Sequence, residues 1–236
     1  PEFAEYFVPY PDRETRHSSH DYARRLVGHN REVLEIGCGE GIFAAELKKA
    51  GNRVVGVDAL PAASEGHALE QYFSADLNDA RGMFRQLNGR RFDRVLLLDL
   101  LERLVHPERL LSEAKCALNA NGCLVVSLPN VAHFAVRLAL LFGQFNYAER
   151  GILDRTHLRF FTRQTARRLL EDAGYEILET RAAIAPAELV LGLARANALL
   201  RAINGIKGAL TRLLPGLMGY RFVFLARPHT PSRPLS

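Results

Sequence analysis

The stretch Val33-Leu34-Glu35-Ile36-Gly37-Cys38-Gly39-Glu40-Gly41 restricts this chain more than any other part of it. An aliphatic run enters a turn with glycine at every second position, and a helical pattern follows at 41–50. Glycine accepts left-handed backbone and carries no Cβ, so a ligand can lie directly against the main chain of such a turn. Strand, glycine turn and helix in that order form the opening unit of a doubly wound α/β sheet. The spacing then sorts the ligands. Dinucleotide sites use GxGxxG and hold a pyrophosphate on the helix N-terminus. Here the pattern is GxGxG, with Glu35 two residues before the first glycine. A carboxylate beside the turn repels phosphate and attracts a ligand with ammonium or sulfonium charge.

The remainder of the chain keeps the same rhythm. Short β-rich runs predict strands at 31–36, 53–57, 71–74, 92–98, 123–127, 175–181 and 220–226, and periodic segments predict helices at 41–50, 61–68, 78–87, 107–118 and 163–173. Gly51 and Gly174 stand where left-handed C-caps belong, Asn78 and Thr162 where N-caps belong, and Pro107 suits a first helical turn. Ser19 before HDYARRLVG predicts an N-terminal covering helix closed by Gly28. Two segments break the alternation. Segment 131–161 combines a helical VAHFAVRLALLFG with the polar loop NYAERGILDRTH. Segment 187–214 repeats Leu189, Leu193, Leu200, Ile203, Ile206, Leu210 and Leu213 at helical spacing, with Arg201, Asn204, Lys207 and Arg212 between them. The chain is expected to form a single domain over 1–236, with a cap at 1–30 and two inserted segments.

Four acids punctuate the strands. Glu35 lies in the first, Asp58 ends the second, Asp76 follows the third and Asp99 the fourth. Open α/β sheets bind ligands at the carboxyl ends of their strands. Any one of these acids could simply cap a turn, but four in register mark a binding edge. Asp58, about 20 residues beyond the glycine turn, suits acceptance of hydrogen bonds from two ribose hydroxyls.

Composition narrows the class further. With 48% hydrophobic and 24% charged residues the chain can bury a substantial core. Its net charge of +5 is spread rather than clustered, which argues against a nucleic-acid partner. Cys38, Cys116 and Cys123 are odd in number and lack CxxC spacing, so neither disulfides nor a metal site is expected and a reducing cytoplasm fits. No apolar run reaches a membrane span, and residues 1–30 show no leader pattern, although the chain begins at Pro1 rather than Met.

VLEIGCGEG, VVGVDAL, SADLND and FDRVLLLDLLERLVHPERLL, in this order, resemble the successive motifs of class I S-adenosylmethionine-dependent methyltransferases over residues 20–182. The resemblance implies a Rossmann-like seven-stranded sheet in order 3-2-1-4-5-7-6, with strand 7 antiparallel and a helical insertion between strands 6 and 7. It also implies that the cofactor's amino-acid part lies near Glu35, Gly37 and Gly39 on the turn that includes Cys38 and Gly41. The ribose would sit on Asp58, the adenine near Ala59, Leu60, Asp76 and Leu77, and the methionine portion by the backbone of Asp99 and Leu100. SLPNVAHFAVRLALLFGQFNYAERGILDRTHLRFFTRQTARRLLEDAGY resembles a subgroup of bacterial small-molecule enzymes. Some of these are similar to quinone-ring O-methyltransferases, and others are associated with sugar and polysaccharide assembly.

Methyl transfer from a sulfonium is an in-line displacement with a neutral leaving group, so positioning of the nucleophile matters most. A general base is needed only for a hydroxyl or a protonated amine. Many relatives read Leu-Glu-His after the fourth strand. This chain has Leu101-Glu102-Arg103, and arginine cannot accept a proton at neutral pH. The candidates are therefore His157, oriented by Asp154 three residues before it, and then His133 after the fifth strand. The alternative for His157 is a structural pin of its loop, and His106 reads as an exposed helix start. The helices of 187–214 could roof an acceptor pocket, join two copies in a homodimer or lie on a membrane surface. Two other classes compete: a nicotinamide-dependent oxidoreductase, against which the GxGxG spacing argues, and a non-catalytic module that docks through 187–214.

Overall fold

A computed structural model describes residues 17–61, 68–184 and 198–229. The helix expected at 61–68 and the first third of the 187–214 insertion lie largely outside the described residues. The strands are β1 (Glu32–Ile36), β2 (Arg53–Asp58), β3 (Gln71–Ser74), β4 (Phe92–Leu98), β5 (Leu118–Pro129), β6 (Tyr175–Ala183) and β7 (Arg221–Pro228). The helices are α1 (Ser19–Val27), α2 (Ile42–Lys49), α3 (Ala80–Gln86), α4 (Pro107–Ala114), α5 (Phe134–Leu141), α6 (Arg163–Asp172), α7 (Ala198–Leu213) and α8 (Pro215–Met218).

The strands form one sheet in the order β3-β2-β1-β4-β5-β7-β6. The pairs β1–β2, β1–β4, β2–β3 and β4–β5 are parallel, whereas β7 runs antiparallel to both β5 and β6. Alternate residues of the central strands feed two cores because side chains of a strand point to opposite faces. Leu34, Ile36, Val55, Val57, Val95, Leu97 and Val126 pack with Leu110, Leu111 and Leu170 of α4 and α6. Val33, Val54, Leu96 and Val125 pack on the other face against Ala23, Val27, Phe43 and Leu47 of α1 and α2. Strands covered on both faces read as continuous apolar runs, and this made them visible in the sequence.

Local chemistry shifts several boundaries. Ser18, not Ser19, caps α1 by accepting from Asp21 N at 3.1 Å. Asp79, not Asn78, caps α3 by accepting from Gly82 N at 3.0 Å. Thr162 caps α6 in a reciprocal box with Thr165. The helix expected at 107–118 ends at Ala114, and β5 begins at Leu118 rather than 123. Its added residues Asn119-Ala120-Asn121-Gly122 form an irregularity opposite Phe92 and Arg94. A Cβ at Gly122 would lie 2.9 Å from the Phe92 carbonyl oxygen, so no larger residue fits there. Segment 131–161 forms α5 and then an ordered loop, tied back by bridges of Asn130 to Phe161 and Ala148 to Asp154. Among the described residues no helix is long and apolar enough to cross a membrane.

Candidate active site

The glycine turn closes between β1 and α2. Gly37, Gly39 and Gly41 all have left-handed backbone, with φ of +79°, +52° and +71°. Gly37 N donates to the Val57 carbonyl at 2.8 Å, and Gly41 N to the Cys38 carbonyl at 3.0 Å, which folds the turn onto the end of β2. Asp58 stands at that end, buried, and its carboxylate is stitched to the turn. Oδ2 accepts from Gly39 N at 2.7 Å and Oδ1 from Leu60 N at 3.1 Å. A carboxylate offers about four lone-pair sites, so two remain for a diol.

The floor under the turn depends on Gly56, which sequence analysis did not single out. A Cβ there would lie 2.7 Å from both Cys38 Sγ and Leu69 Cδ1. A glycine inside a strand does signal close approach, and that was the available clue. Burial, reinforced by the carboxylates of Glu35 and Asp58, pushes the Cys38 thiol far up, so it packs as an inert group. Glu35 is buried on β1 between Gly56 and Leu96 of the neighbouring strands. On the rim, Ala59 is exposed and Leu60 half-buried, and the Leu60 carbonyl accepts from Tyr72 Oη at 2.6 Å. Asp76 is exposed and its Oδ1 accepts from Asn78 N at 2.9 Å. Leu77 and Leu100 pack in the core, so only their backbone is available to a ligand.

Past β4 a second polar cluster forms. Asp99 has left-handed backbone at φ +51° and accepts from Ser127 Oγ at 2.8 Å, while its Oδ1 pairs with Arg221 Nε at 3.0 Å. Burial opposes ionisation of Asp99, but Arg221 and then His20, Ser127 and Arg103 outweigh it and hold the carboxyl below its usual range. Glu102 is fully buried. Burial first and the Asp99 carboxylate second push it up to about 8. Ser127 and Arg221 did not stand out in the sequence, and Glu102 entered only within Leu101-Glu102-Arg103, because a lone polar residue at the edge of an apolar run carries no spacing signal.

Sequence spacing suggested that Asp154 orients His157, and the structure arranges them differently. The Asp154 carboxylate accepts from Thr156 N at 2.8 Å, from Thr156 Oγ1 at 2.6 Å and from Arg103 at 3.1 Å. The His157 ring turns instead to the Ile152 carbonyl, with Nδ1 at 3.1 Å, and to Glu102, with Nε2 at 3.8 Å from Oε1. Its side chain is 2% exposed. Burial, then Arg103, lowers its affinity for a proton. His133 caps α5, its Nδ1 accepting from Ala135 N at 3.3 Å, and rests edge-on to Tyr220. Burial and Lys207 lower His133 to about 4.

The cradle suits a ribose-bearing, phosphate-free cation. Acids, not lysine or arginine, stand at the turn, and the glycine positions leave main chain open where a Cβ would crowd Leu69 or Leu100. With β7 antiparallel beside β5, this arrangement defines the class of Rossmann-like S-adenosylmethionine-dependent methyltransferases. The chain belongs to the methyltransferase-domain family, whose model matches residues 12–180. It is 29% identical over 169 residues to a ubiquinone biosynthesis O-methyltransferase of Azorhizobium caulinodans, an alignment covering 70% of this chain and 66% of that relative. The fold is similar to that of a SAM-dependent methyltransferase from Archaeoglobus fulgidus, with TM-score 0.58, 21% identity and coverage of 89% and 94% of the two chains. It is also similar to 1,6-didemethyltoxoflavin-N1-methyltransferase of Burkholderia thailandensis, solved with its substrate and S-adenosylhomocysteine. There the TM-score is 0.56 at 17% identity, covering 93% of this chain and 82% of that one.

Proposed function

We propose that this chain moves the methyl group of S-adenosylmethionine to an oxygen or nitrogen of a small-molecule acceptor. The observation that carries the reading is the pair of bonds that the Asp58 carboxylate accepts from Gly39 N and Leu60 N, which joins the glycine turn to the end of β2 in one seat. Glu35 and the Gly37–Gly41 turn would hold the amino-acid end, Asp58 the ribose, and Ala59, Leu60, Asp76 and the Leu77 backbone the adenine. The backbone of Asp99 and Leu100 would border the methionine chain. When bound, the cofactor supplies an electrophilic methyl group. The chain's own residues hold the acceptor in line with it and keep bulk water away, through segments 131–161 and 198–214 of a single domain.

Of the side chains singled out as catalytic, Asp154 and His157 are engaged within the protein. His133 is the half-buried imidazole that could face an acceptor at the start of α5. Since His133 Nδ1 accepts a backbone N–H, its Nε2 carries the hydrogen and can donate to the acceptor. A group with a proton affinity that low is a weak base, so positioning carries most of the rate.

The relative's ubiquinone role supports a hydroxylated aromatic acceptor, and the N-methylating structural neighbour keeps nitrogen in view. The free thiols Cys38, Cys116 and Cys123 suit the cytoplasm. On α7, Ile206, Leu210 and Leu213 are exposed, and vesicle flotation against sedimentation distinguishes a lipid surface from a second copy. Isothermal calorimetry with S-adenosylhomocysteine, followed by transfer of labelled methyl to a panel of catechols, hydroquinones and sugars, tests the proposal. Micromolar binding with label in one acceptor class is expected, and absence of binding would end it.

A further inference from the structure

Residues 154–159 are fastened to the turn 99–105 at the end of β4 by several contacts. The Glu102 carbonyl accepts from Leu158 N at 2.8 Å and Arg159 N at 3.0 Å. Arg103 donates to Thr156 Oγ1 and Asp154 Oδ2, and Arg159 donates to the Val105 carbonyl. Beneath these links lie Glu102 and His157, with side chains 0% and 2% exposed and Oε1 3.8 Å from Nε2. A carbonyl can only accept, so His157 Nδ1 carries the ring hydrogen toward Ile152, and Nε2 presents a lone pair to Glu102. Neither carboxyl oxygen of Glu102 has a hydrogen-bond partner. Two dry, unpartnered oxygens strongly disfavour the carboxylate form.

The charged groups around the pair are Asp99, Arg103, Asp154 and Arg221. Arg221 is paired with Asp99 and Arg103 with Asp154, so the two cations offset the burial of Glu102 only in part. A shift of roughly 1 Å brings the acid O–H within hydrogen-bond range of the imidazole lone pair.

We propose that Glu102 and His157 form a buried latch in which the carboxyl proton of Glu102 bridges to His157 Nε2 and fastens segment 144–161 over the carboxyl ends of β4 and β5. Ionisation of Glu102 opens it. Both are positioning residues: they set where the acceptor-side segment lies and do not touch the reacting atoms. The latch deepens the methyl-transfer reading and rests on it only for the segment's role. Its geometry is independent of any acceptor. The proton affinity of Glu102, raised by burial and Asp99, puts the opening in the mildly alkaline range.

Hydrogen–deuterium exchange on the whole chain, corrected for the intrinsic pH dependence of amide exchange, tests it at pH 6.5 and 9.5. In the wild type, protection of the His157, Leu158 and Arg159 amides should fall at least tenfold at the higher pH while β1 and β4 stay protected. Glu102→Gln keeps a neutral N–H donor and should hold protection at both values. Glu102→Ala should lose it at both. Protection that does not change with pH in the wild type would overturn the latch, as would Gln exchanging as fast as Ala. Should Ala fail to fold, the wild-type pH series and Gln still decide. Calorimetry with S-adenosylhomocysteine on each folded variant separates the two proposals. Retained affinity with a pH-insensitive segment sinks the latch alone, and no affinity in the wild type sinks the methyltransferase reading.

Discussion

Replacing Asp58 by asparagine tests the cofactor seat most directly, because the side chain keeps its shape and loses its charge. In the native site each carboxylate oxygen accepts one backbone N–H, from Gly39 at 2.7 Å and Leu60 at 3.1 Å. Asparagine has one oxygen, so its amide must point at one of those N–H groups, donor against donor. An orphaned buried N–H costs about 1–3 kcal/mol. Charge-assisted bonds to two ribose hydroxyls also become neutral ones, a loss of about 1 kcal/mol each. Part of the first cost is carried by the free protein, so the effect on binding comes to about 2–4 kcal/mol. That corresponds to a roughly 30- to 700-fold rise in Kd for S-adenosylhomocysteine. Calorimetry reads the change, and circular dichroism checks that the sheet is intact. A 2′-deoxyribose analogue completes the cycle: having lost one of the two hydroxyls, it should discriminate less between the two proteins. A folded Asp58→Asn protein that binds within threefold of wild type would refute the assignment of Asp58 to the ribose.

Gly37→Ala places a Cβ at left-handed backbone and 3.3 Å from Leu100 Cδ1, so a loss of about 1–2 kcal/mol is expected, read as a fall in Tm of about 3–6 °C with weaker cofactor binding. Arg221→Met removes the partner that holds Asp99 ionised, and breaking such a pair costs about 3–5 kcal/mol. Without Arg221, burial disfavours the Asp99 carboxylate and the variant takes up a proton that the wild type, held below its usual range, does not. The cost should therefore be largest at neutral pH and shrink in acid, as urea denaturation at pH 4 and 7.5 would register. Glu102→Gln should flatten the pH dependence of stability. The folded wild type retains a proton to about pH 8 that the unfolded chain releases near pH 4.5. Its stability therefore declines between those values, by at most about 1.4 kcal/mol per pH unit, and a plot of Tm against pH equally steep in the variant would contradict this.

The sheet was legible because both of its faces are covered. VLEI, VVGV, VLLL and FVFLA are almost wholly apolar, with Glu35 the one charge among them, and glycine or proline marks most element ends. Asn119-Ala120-Asn121-Gly122 concealed the start of β5, since an irregular pairing opposite Phe92 cannot be told from a turn by composition. The acids at the strand ends were visible because strand order in sequence maps onto one edge of the sheet. Asp154 and His157 illustrate the opposite case. Three residues apart, they share a turn in which His157 N donates to the Asp154 carbonyl at 3.0 Å, so spacing brought their backbones together and left the side chains to other partners. Glu102 and Arg221 acquire meaning only from what folds against them.

Arg103 ties these strands of reasoning together. Where many relatives carry a histidine able to accept a proton, this chain carries a guanidinium that stays charged and cannot. Its Nε donates to the Asp99 carbonyl at 3.3 Å and its terminal nitrogens reach Thr156 and Asp154. The substitution therefore exchanges a titrating group for a cross-link between the end of β4 and the segment above it. Asp154, drawn to that cation, is unavailable to orient His157, and the imidazole finds Glu102 instead. In the proposed reading, rate comes from holding the acceptor still beside the methyl donor, and sensitivity to pH shifts from a base that acts on the acceptor to the acid that keeps the segment in place.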